Sequence, residues 1–169
     1  MGKKITALLA LLLFTGCAEF DLHIRKGAAP VKASKILIGN FEFRNMSFDP
    51  YVAPEFREAL KFEFFKRGFD AELIPEGEEL STTGNGKLKA LAEKYSGDII
   101  ICGVISQRET GFLTDREIRS SVSFLVFSGA GEQIGEGYYY ADVAASDEYV
   151  RRGAAGKFVK QFLGHVKAR

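Results

Sequence analysis

Tryptophan is absent from this 169-residue chain, cysteine and histidine occur twice each, and proline only four times. Two cysteines cannot build the multi-bridge scaffold of a small secreted domain, and two histidines leave little for imidazole-based metal or acid–base chemistry. His23 and His165 stand near opposite ends of the chain without a motif neighbour. No Gly-x-Ser-x-Gly elbow, His-Glu-x-x-His helix or Cys-x-x-Cys pair occurs, so the local signatures of triads and zinc sites are missing. The expectation is a protein without catalytic residues, cofactor or metal. The remaining route to an enzyme is a hydrolase built on an unsigned carboxylate pair. Charge of one sign is lacking too: 23 basic against 22 acidic residues give a formal +1, which disfavours nucleic acid as a partner. Against these absences, 46% hydrophobic and 27% charged residues describe one globular domain with a substantial core.

The longest apolar stretch, Ile5 to Phe14, follows the basic Lys3 and Lys4 and is too short to span a bilayer, which needs about 20 residues. It reads as an export signal over residues 1–16. The Phe14-Thr15-Gly16-Cys17 that follows resembles the bacterial lipobox, in which small residues precede a cysteine that becomes acylated; Phe14 departs from the usual leucine. Two other readings stay open: a plain secretory signal with an incidental cysteine, and N-myristoylation, whose permissive pattern Met1 to Thr6 also matches. Acylation of Cys17 with two or three chains, palmitate among them, would hold a domain on a membrane without crossing it. Ala18 is not the aspartate that resembles an inner-membrane retention signal, so the outer membrane is expected, with the domain facing the periplasm. Cleavage before Cys17 removes two lysines and turns the formal +1 into −1. Residues 17–34, with mixed charge and no evident period, read as a lipidated tether.

The α/β domain is expected over 35–169, organised on Asp98 to Ser106, a nearly unbroken β-branched run that predicts a strand covered on both faces. Cys102 inside it predicts a buried free thiol. Lys35 to Phe43 is the first strand. A helix begins at Asp49-Pro50 or Ala53-Pro54, carries the ladder Phe56, Leu60 and Phe64, and stops at Gly68. Phe69 to Ile74 is a short strand, and Glu76 to Gly86 a loop. Leu88, Leu91, Ala92 and Tyr95 mark a second helix. Ile118 to Ser128, with Val122, Phe124 and Val126 inward, and Ile134 to Val143 form a hairpin around Gly129 to Glu132. Gly129, Gly131, Gly135 and Gly137 do not make a phosphate cradle, because they join two strands and miss the Gly-x-Gly-x-x-Gly spacing. A last helix, capped by Ser146, carries Ala154, Phe158, Phe162 and Val166 on one stripe with Ala155, Val159 and Leu163 beside it. The sum is a single three-helix domain with a mixed sheet of about five strands, in the order β-α-β-α-β-β-β-α.

The segment Ile36 to Ser47, the step Arg67-Gly68-Phe69, the Gly97-Asp98 strand start and the turn Gly131 to Ile134 together resemble a bacterial envelope superfamily. That group includes the curli channel subunit CsgG, the penicillin-binding-protein activator LpoB and the amino-terminal domain of TolB. The resemblance covers about residues 35–166 and brings no catalytic residue. It implies a lipid-anchored docking or accessory module for other envelope proteins, in cell-wall synthesis or in secretion and assembly, with homo-oligomerisation compatible. A surface-displayed ligand-binding lipoprotein is the alternative.

Six residues are candidates for a partner surface. Phe62 and Phe65 fall about 120–180° around the helical wheel from the Phe56-Leu60-Phe64 ladder, so either the last helix covers them or they form an apolar patch. In Tyr138-Tyr139-Tyr140, alternation along a strand points at least one ring away from its neighbours, which makes Tyr139 or Tyr140 a contact candidate with Phe112 and Arg116.

Overall fold

The computed structural model describes residues 19–28, 31–44, 50–75, 77–78, 85–112 and 115–168. The elements run β1 (Glu19–Ile24), β2 (Val31–Ala33), β3 (Lys35–Arg44), α1 (Val52–Phe65), β4 (Asp70–Leu73), α2 (Asn85–Tyr95), β5 (Ile99–Thr110), β6 (Glu117–Ser128), β7 (Gln133–Ala141), α3 (Glu148–Leu163) and β8 (Val166–Ala168). Six strands form one mixed sheet in the order β1-β7-β6-β5-β3-β4, and β2 pairs with β8 in a small parallel pair. The α/β class, the three helices and the central element order match the expectation.

The organising strand sits mid-sheet, parallel to β3 and antiparallel to β6. Its first five residues are all buried because both faces are covered there. On one face α1 and α3 lie side by side over Ile99, Ile101, Ile105, Val122, Phe124 and Val126. On the other, α2 brings Leu88 and Ala92 onto Leu37, Ile100, Cys102 and Phe127. Beyond the reach of α2 that second face turns polar: Ser106 and Ser121 share a hydrogen bond of 2.7 Å, and Tyr138 and Tyr140 are exposed. Burial pushes the Cys102 thiol up to about 12, with Glu42 adding to the effect.

Two polar contacts fix the frame, one half-exposed and one buried. The Asp98 carboxylate accepts from the Ser34 amide at 2.7 Å, the Ser34 hydroxyl at 2.8 Å and the Lys35 amide at 3.1 Å, tying the start of β3 to the start of β5. The Gly97-Asp98 pair that carries part of the family resemblance is therefore a structural clasp. Arg57, buried on α1, donates to the carbonyls of Ile38 and Ile74 and so joins the helix to β3 and to the end of β4. A buried guanidinium is tolerated here because it satisfies carbonyls at a strand edge.

Three expectations are corrected. The tether reading of 17–34 fails for residues 19–24 and 31–33, which are β1 and β2; Phe20, Leu22 and Ile24 alternate inward while β1 pairs with β7 from Glu19↔Tyr140 to Ile24↔Gly135. The α3 cap is Asp147, whose carboxylate accepts from the Tyr149 amide at 2.7 Å, one residue after Ser146. Val166 leaves the helix after Gly164 and enters β8.

Candidate functional site

Helix α1 is set down on the sheet by Val52, Phe56, Arg57, Leu60 and Phe64, all buried. At 100° per residue this stripe rotates Phe62 and Phe65 outward. They are 60% and 75% exposed, although α3 does lie beside α1. The reason is where α3 docks: Phe162 meets Phe64 edge-on at 6.3 Å, and Arg151 pairs with Glu55 at 3.0 Å, so α3 fills the flank next to the ladder and stops short of the outer face.

A groove of about 690 Å³ runs between α1 and α3, lined by Glu55, Ala59, Phe62, Lys66, Glu148 and Arg152 among others. On the far side of α1 a smaller depression of about 320 Å³ is lined by Glu58, Lys61, Phe65, Phe69 and Ala71. Phe62 and Phe65 thus stand as a ridge between two hollows rimmed by both signs of charge. Lys66 holds its Nζ 5.4 Å from the Phe62 ring centroid and 3.0 Å from Glu63. Desolvation alone would raise the Glu63 carboxyl, yet hydrogen bonds from Arg67 and Lys66 outweigh it and hold the group below its ordinary value.

The other candidates separate. Tyr139 is fully buried, which corrects its place on a partner surface: its cross-strand neighbour is the inward Val122, and its hydroxyl fills the space over Gly153, where a Cβ would stand 2.7 Å from it. Tyr140 is exposed on the opposite face. Phe112 is 88% exposed at the tip of the β5–β6 hairpin. Arg116 pairs with Glu109 beside it, and this ion pair, with a 2.8 Å hydrogen bond from Gln107, holds the Glu109 carboxyl below its usual value. Tyr140 faces Ser121, five residues from Arg116, so the hairpin tip and the tyrosine do not form one cluster. Cys17 lies outside the described residues.

Tyr51, Val143 and Tyr149, which the sequence did not single out, are also exposed. Tyr51 and Tyr149 stand at the starts of α1 and α3, where the Pro50 and Asp147 boundaries were the signal that they would stay outside the apolar stripes, and Val143 follows the end of β7. Among the described residues no three His, Cys, Asp or Glu side chains converge as a metal would need, and no helix is long and apolar enough to cross a membrane.

No protein-family model matches the chain, and no curated protein matches its sequence. Solved structures do share the fold. The PelC dodecamer from Paraburkholderia phytofirmans superposes with a TM-score of 0.60 at 12% identity, over 90% of this chain and 99% of that one. A variant of the same PelC gives 0.58 at 11%, over 86% and 95%. The LpoB C-terminal domain from Salmonella enterica gives 0.47 at 16%, over 67% of this chain and 86% of that domain. The chain shares the fold of the PelC subunit.

Proposed function

We propose that this chain is a membrane-anchored envelope lipoprotein, acylated at Cys17, that acts without catalysis as an accessory module of secretion or cell-wall machinery and assembles with copies of itself through the outer face of α1. The observation that carries the assembly is the exposed Phe62–Phe65 ridge between two hollows. An apolar ridge flanked by apolar-floored hollows is self-complementary, and the surrounding Lys61, Glu58, Arg152 and Glu148 supply both signs, so a second copy can match charge as well as shape. The likeness of fold to a dodecamer along nearly the whole chain supports the same reading.

The test is the mass of the detergent-solubilised mature protein by light scattering, together with affinity capture of the tagged protein from solubilised envelopes. An oligomer that co-purifies with envelope components is expected. A monomer at micromolar concentration, or a chain that captures nothing but itself, would remove the assembly or the accessory role respectively.

A further inference from the structure

The exposed large apolar side chains are unevenly placed. Tyr51, Phe112, Tyr140, Val143 and Tyr149 all stand at one end of the sheet, the end at which β1 begins. The topology puts them there. β3 ends at Arg44, opposite Ser106, and α1 runs back from Val52 along it, so Tyr51 marks that end. β7 ends at Ala141, and α3 also runs back from Glu148, which places Val143 and Tyr149 beside it. β5 and β6 continue past this level as a hairpin to Phe112.

Chain length then says what lies beyond. Glu19 is level with Tyr140 and, across the sheet, with Ser121. Cys17 is two residues earlier and can stand no more than about 7 Å further out. The hairpin runs from Ser121 to Glu117 in the same direction, about 13 Å at strand rise, before it turns through Phe112. Its tip therefore extends further beyond the level of Glu19 than two residues of chain can reach. The hairpin is also braced to keep that direction. Gln107 accepts from the Ala145 amide at 2.9 Å, and the Ser120 hydroxyl donates to the Val143 carbonyl at 2.5 Å, both from buried positions.

We infer that this end of the domain is a membrane-contact rim: Phe112 at the hairpin tip enters the headgroup and upper acyl region of the bilayer that holds Cys17, with Tyr51 and Tyr149 at the interface around it. Aromatic rings with one polar tip favour that layer. The charges at the tip are mixed, Arg108, Arg116 and Arg119 against Glu109, Asp115 and Glu117, so the contact is apolar and does not depend on anionic lipid. It also turns the Phe62–Phe65 ridge, near the opposite end of α1, away from the membrane. The inference rests on acylation of Cys17.

The absence of tryptophan supplies the probe. Full-length protein matured in cells is prepared as Phe112→Trp, Tyr149→Trp and Phe65→Trp, each reconstituted in phosphatidylcholine vesicles carrying acyl chains brominated near the headgroup. At least a twofold quenching is expected at 112, a smaller one at 149 and none at 65, unchanged when phosphatidylglycerol is added. The N-terminal mass is read on the same samples. An acylated chain with unquenched 112, or with 65 quenched equally, overturns the rim alone; a non-acylated Cys17 overturns the anchor and the rim with it.

Discussion

Phe124 on β6 and Phe158 on α3 stack with ring centroids 4.2 Å apart and planes 6° from parallel, and this contact joins the last helix to the sheet. Phe158 also stacks on Phe162 at 5.4 Å and meets Phe20 of β1 edge-on at 6.3 Å, so one ring ties together three elements from distant parts of the chain. Phe158→Ala should cost about 3–5 kcal/mol, from lost burial and the cavity left among side chains already in place. Chemical denaturation would read it. A loss below about 1 kcal/mol would mean that α3 is not held by this stack.

The outer face of α1 should behave oppositely. Phe62→Ser with Phe65→Ser removes rings that are mostly in solvent, so the thermal midpoint should move by only about 2 °C or less. Self-association should fall by tenfold or more. A midpoint drop of about 10 °C measured on the isolated monomer would place both rings in a core and end the claim of this face as an assembly surface.

Periodicity made the central strands and the inner stripes of α1 and α3 readable, because β5 is buried on both faces and the ladders repeat at helical spacing. β1 carries strand alternation in full, Phe20, Leu22 and Ile24 inward against Glu19, Asp21 and His23, and what six residues could not show was the edge of β7 that pairs with them. β2 and β8 are three residues each and exist by pairing with one another across the length of the chain, which no local window reports. The side taken by Tyr139 depends on the register Tyr139↔Val122, a property of the hairpin and not of the tyrosine run. Whether Phe62 and Phe65 are covered depends on which flank α3 occupies, and a helical wheel has no information about that.

Acid should weaken the α1 terminus through Glu63. Its carboxyl is held below the ordinary 4.5 by Arg67 and Lys66 despite partial desolvation. A group with a folded value below its unfolded one stabilises the fold above the unfolded value, and that contribution fades as pH falls through the folded one. Stability measured by denaturant should therefore decline below about pH 4.5 more steeply in the native protein than in Glu63→Gln. Parallel acid limbs for the two proteins would show that Glu63 is screened by solvent and contributes nothing.

The two cysteines make a paired prediction about burial and anchoring. Cys102 lies under Phe127 and Leu88 with its thiol pushed up to about 12 by burial, so at pH 8 it stays protonated and shielded from reagent. A diacylglyceryl group carried on the sulfur of Cys17 would consume its thiol as a thioether. Iodoacetamide should then add nothing to the native mature protein in an hour and one group in guanidinium, measured by intact mass. One group added without denaturant and mapped to Cys17 would show an unmodified N-terminal thiol and remove the lipid anchor. One group added without denaturant and mapped to Cys102 would show instead that β5 opens, and the strand on which the sheet is organised would not be its most protected part.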